Sequence, residues 1–97
     1  MSVWNVTSAR RVLLAYKHNA KARDAAPGAL AAMEAALAVA LVQERKSRQR
    51  CEEARGRKDR NTKALCKRHG EDFKVLMDVR DVVERLYRMI LSNSKTR

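Results

Sequence analysis

Aromatic side chains make up only 4% of this 97-residue chain, which also has just 3 Gly and 1 Pro. That scarcity gives β-strands little to work with and leaves few signals that would break a helix. Long apolar runs are missing as well. The longest, residues 29–42, is interrupted by Glu34 and falls short of the ~20 residues that a membrane-spanning helix needs. Cysteine is nearly absent. Cys51 and Cys66 lie apart, with no CxxC and no histidine at zinc-ligand spacing, so no metal site is expected. They read as free, reduced thiols of an intracellular protein. Acidic residues are missing from the first 23 positions, where Arg10, Arg11, Lys17, Lys21 and Arg23 stand among Ser and Thr. That composition is similar to a mitochondrial targeting segment.

What is present is alanine, leucine and positive charge. Hydrophobic residues make up 45% and charged residues 34% of the chain, a balance that suits an all-α single domain spanning 1–97. Much of the apolar share is alanine, which buries little area per residue, so the core is expected to be thin. The net charge is +11, from 22 Lys and Arg against 11 Asp and Glu. Such an excess costs self-repulsion in a compact monomer and points to an acidic companion.

Three helices are expected, over 7–23, 28–58 and 62–91, in a three-helix antiparallel bundle. Thr7 or Ser8 can cap the first, whose Ala9, Val12, Leu13, Tyr16 and Ala20 recur at amphipathic spacing. Pro27 and Gly28 read as the break that follows it. Leu30, Met33, Leu37 and Leu41 form the stripe of the second helix. Beyond Val42 the chain turns basic, with eight Lys and Arg between 44 and 60. This reads as a long extension between helices 2 and 3 or as a mobile connector. Asn61 or Thr62 can start the third helix, on which Leu65, His69, Phe73, Leu76, Val79, Val83, Leu86 and Ile90 share one face. Ser92, Asn93 and Ser94 read as its frayed end.

No constellation points to catalysis, so the chain reads as a non-enzyme. His69 stands near Glu71 and Asp72 without the further ligands or partners that a metal or acid–base site requires. Neither cysteine has a neighbouring base to activate it. The basic run over 45–60 is a candidate contact surface for phosphate or for an acidic protein face. No aromatics interleave with it, which argues against base stacking.

Val12, Leu13, Tyr16 and Lys17 fall on a pattern of their own, and the third helix carries the run from Leu65 to Leu76 followed by a Leu-Tyr pair at Leu86 and Tyr87. In these residues the chain resembles the LYR-motif family of small mitochondrial three-helix proteins. Ala15 stands where that motif carries leucine. The resemblance implies a non-catalytic accessory or assembly-adaptor subunit of a mitochondrial complex of the respiratory type, on the matrix side. It implies acyl carrier protein as the acidic partner, met by Arg10, Arg11, Lys17, Arg45, Lys46 and Arg48. The acyl chain on that partner's phosphopantetheine would then lie among Leu13, Tyr16, Leu37, Leu41, Phe73 and Leu76. The alternative is a basic helical subunit of a ribosome or other ribonucleoprotein, contacting RNA through 45–60. A coiled-coil component pairing through the seam from Leu76 to Ile90 is a third reading.

Overall fold

The computed structural model describes residues 4–95; the sequence of residues 1–5 reads as an extended N-terminal arm, of which 1–3 lie outside the described residues. It contains three helices, α1 (Val6–Ala15), α2 (Ala20–Arg57) and α3 (Thr62–Lys95), with no strand among the described residues. All-α is therefore the fold class.

The first helix is capped two or three residues earlier than its hydroxyl residues Thr7 and Ser8 suggest. Asn5 is the N-cap, its Oδ1 accepting from the Ser8 N–H at 2.8 Å, while Ser8 Oγ accepts from the Asn5 N–H at 2.9 Å. Two orphan donors are satisfied reciprocally, so Ser8 closes the box from the third helical position.

The expected break at Pro27 is corrected by the structure. The chain turns instead at residues 16–19, where Asn19 adopts an extended conformation and its Oδ1 accepts from Lys21 N at 2.9 Å. Arg23 adds a tie across the turn, its Nη1 donating to the Tyr16 carbonyl at 3.0 Å. Pro27 then lies inside α2. A mid-helix proline costs ~3 kcal/mol, but the alanine-rich sequence around it has the highest helix propensity. Its neighbours Ala26 and Ala29 are both 0% exposed, so tertiary burial holds this segment helical.

α2 continues through Gly56 and stops at Lys58, which takes the left-handed conformation at φ 51°. The Asp59 N–H reaches back to the Ala54 carbonyl at 3.0 Å, satisfying an end of the helix. Asp59 also accepts from Asn61 N at 2.9 Å, and Thr62 Oγ1 lies 2.6 Å from the Asp59 carbonyl. Those bonds start α3, whose helix runs on through Ser92 and Asn93 to Lys95 where fraying was expected.

The extents are 58 × 24 × 20 Å, and the radius of gyration is 17.2 Å. A compact domain of this length would have a radius of about 13 Å, so the molecule is a rod. At ~1.5 Å rise per residue α2 and α3 each run for more than ~50 Å, while α1 covers only ~15 Å of them. One end of the rod holds the main core: Ala9, Val12, Tyr16, Ala22, Ala26, Ala29, Met33, Val82 and Leu86. Four of these nine residues are alanines, so the helices approach closely and the core is thin, as the composition suggests.

Beyond α1 the rod is two helices thick. Ala40, Glu44, Ser47, Cys51 and Ala54 of α2 are buried there. The stretch read as a basic extension thus has one strip covered by α3. Rising numbers on α2 meet falling numbers on α3: Glu44 faces His69, and Cys51 meets Cys66.

Candidate functional site

The buried strip of α2 steps through Met33, Ala40, Glu44, Ser47, Cys51 and Ala54. On α3 it steps through the half-buried Leu65, His69 and Asp72 to the buried Leu76 and Val79. Both strips carry polar residues in their middle. This departs from the expected seam in two places. Phe73 is 50% exposed because Asp72 occupies the inward position, roughly a quarter-turn away. Leu41 is 47% exposed because Ala40 holds the corresponding place on α2.

At the centre of the two-helix segment, His69 Nε2 lies 3.5 Å from Glu44 Oε2. Neither atom makes a well-aligned hydrogen bond, and both are shielded from solvent. The other Glu44 oxygen is 3.7 Å from Arg48 Nη1. The His69 ring also meets Phe73 edge-on, with centroids 6.4 Å apart. In the sequence His69 stands beside Glu71 and Asp72, but across the helices its acidic neighbour is Glu44. The available signal was position: Glu44 follows Leu37 by one heptad on the strip that faces α3.

Farther along, Cys51 and Cys66 form a disulfide, with Cα atoms 4.6 Å apart. The expected free thiols are corrected here. Their separation of 15 residues conceals that the turn at 58–61 places them at one level of neighbouring helices.

Beside this layer a groove of about 420 Å³ opens between α2 and α3, lined by Gln43, Lys46, Ser47, Arg50, Arg68 and Asp72. Three cations face it against one carboxylate, which pairs with Arg68 at 3.6 Å. At the opposite end, Leu13, Leu14, Lys17, Arg85, Arg88, Met89 and Ser92 surround a shallow opening between α1 and α3. Comparison with known proteins finds no matching family model, no matching curated protein and no matching solved structure.

The six residues expected to line an acyl tunnel are dispersed. Tyr16 lies in the main core with Leu13 against it, and Leu76 is buried farther along α3. Leu37 is half-buried, while Leu41 and Phe73 face outward. No described groove is lined by more than one of the six. The six expected partner-binding cations are all exposed, on two separate parts of the rod. Arg10 pairs with Asp78 at 3.6 Å, and with Arg11 and Lys17 it belongs to the α1 end. Arg45, Lys46 and Arg48 lie on the two-helix segment, where Arg48 is engaged with Glu44.

The described residues contain no group of three metal-ligating side chains. α2 is long and apolar enough to cross a membrane by length and composition alone, which reading the 29–42 run in isolation did not reveal. Alanine supplies most of that apolar character, and one strip of the same helix is packed inside the molecule.

Proposed function

We propose that this protein is a non-catalytic helical adaptor that docks an acidic protein partner through the cationic surface of its two-helix segment. The fold this implies is a three-helix antiparallel bundle whose basic end projects past α1. The observation that carries the reading is the distribution of charge. Arg45, Lys46, Arg50, Arg55, Lys58 and Arg60 are all exposed on residues 45–60, where Arg57 pairs with Glu53 and Arg48 with Glu44. Such a surface steers an acidic partner and orients its docking.

The LYR resemblance narrows this to an accessory subunit of a mitochondrial complex with acyl carrier protein as companion. Burial of Val12 and Tyr16 beside the exposed Lys17 suits that pattern. The outward Leu41 and Phe73 weigh against an acyl chain running between the helices in this conformation. The Cys51–Cys66 bond favours an oxidising compartment over the reducing matrix.

Native mass measurement of the protein isolated with its companion tests the proposal. An acidic protein should be retained, and exchanging Arg45, Lys46 and Arg50 for glutamate should release it. Retention of RNA, with affinity falling steeply as salt rises, would instead establish the ribonucleoprotein reading.

A further inference from the structure

The groove that α1 fills at one end of the rod continues along the other, where no helix of the described residues covers it. Arg68, Val75, Val82 and Met89 recur on α3 at heptad spacing and so share one face. At the α1 end this face is covered: Val82 is 0% exposed in the core with Ala9 and Val12, and Met89 packs against them. Higher up Val75 is 53% exposed and Arg68 points into solvent. α2 shows the same change along Ala29, Ala36, Gln43 and Arg50, which pass from buried through half-buried to exposed. Trp4 comes within 4.0 Å of where a Cβ on Gly28 would stand, and Lys46 repeats that azimuth about 18 residues, or five turns, later.

We infer that this open continuation seats an acidic amphipathic helix of a partner protein, lying where α1 would lie if it were longer. The inference rests on the adaptor reading above and adds the seat and the shape of the partner. Two observations select this occupant. The near end of the seat is apolar, with Val75 53% and Val39 60% exposed, while the far end presents Lys46, Arg50 and Arg68. A helix with one apolar strip and acidic flanks matches both ends in one element. Nucleic acid would gain nothing from the valines and would set phosphates against Asp72, whose side chain is 17% exposed at the groove. A second copy of this chain brings its own net charge of +11 to the same cations. From Ala36 to Arg50 the seat is ~21 Å long, enough for a helix of about 14 residues.

The test uses two fluorescent Glu/Leu peptides of about 14 residues and identical composition, one with its leucines on a single helical strip and one with them scattered. Each is titrated into the full chain and followed by anisotropy. The patterned peptide should bind at least about tenfold tighter, the scale of one buried anchor. Val75→Asp, and separately Lys46→Glu with Arg50→Glu, should each weaken it about tenfold, while Arg55→Glu with Arg60→Glu, equal in charge but off the groove, should change it less than about threefold. Helical circular dichroism melts show that each variant remains folded. Equal binding of the two peptides, or equal loss in both charge-reversal pairs, overturns the seat while leaving the broader acidic-partner reading intact. Tighter binding of poly(U) than of the patterned peptide, lost in Lys46→Glu with Arg50→Glu, overturns it in favour of nucleic acid. A native companion that is not acidic protein overturns the broader reading itself.

Discussion

Breaking the Cys51–Cys66 bond should lower stability by an amount set by the loop it closes. The bond spans 15 residues. In the chain-entropy account a loop of that length restricts the unfolded ensemble by about 3 kcal/mol. For a domain of this size each kcal/mol shifts Tm by roughly 4–8 °C, so reduction should lower it by about 12–24 °C. The native contacts around the bond are small: Cys51 is 4% exposed beside Ala54 at 0%, so little repacking offsets the loss. Thermal melts followed by far-UV circular dichroism, with and without a phosphine reductant, measure the effect. Cys51→Ala with Cys66→Ala should reproduce it without reductant. Hydrogen exchange should quicken first at residues 54–66, while the amides around Val82 and Leu86 keep their protection relative to global unfolding. A shift of less than about 4 °C in both experiments, near 1 kcal/mol, would refute the argument that loop closure stabilises this end of the rod.

Lys58→Gly should raise stability by about 1 kcal/mol, because a left-handed backbone at φ 51° strains any side-chain-bearing residue; denaturant unfolding reads this directly. Asn19→Ala should cost about 1 kcal/mol through the lost cap on Lys21 and Ala22, visible in the same titration. His69→Leu leaves Glu44 shielded with Arg48 as its remaining charged partner and should cost about 1–3 kcal/mol, whereas adding Glu44→Leu should recover most of that loss in a double-mutant cycle. Leu86→Ala should cost about 2–5 kcal/mol at its 0% exposed site, while Phe73→Ala at 50% exposure should cost well under half of that. Equal losses at the two positions would mean that the inward strip of α3 runs through Phe73 after all.

Helix content and the third helix were legible in the sequence because heptad spacing of Leu76, Val79, Leu86 and Ile90 needs a partner surface to cover it. Val82 escaped that reading. A single-partner seam leaves it out, yet α3 touches both α1 and α2 near that level, so its buried stripe is wider than one seam. The proline rule failed at Pro27 because propensity is a weak prior beside burial of Ala26 and Ala29, while Asn19 carried a capping signal that was passed over. At the candidate site the cations were visible as composition. The Glu44–His69 pairing and the disulfide were not, since both join residues distant in sequence and depend on the register of two helices. Phe73 and Leu41 were misplaced by one residue each, enough to turn a side chain from the interior to solvent.

The alanine strip at Ala22, Ala26 and Ala29 also limits how this chain can vary. Adding even a methyl group or two at Ala26 or Ala29, each 0% exposed, would push whole helices apart and move Trp4, Val12 and Val82 together. Substitutions tolerated at those positions should therefore be confined to glycine and serine. The outer cationic faces, free of any such steric limit, are where related sequences can diverge in the partner they accept.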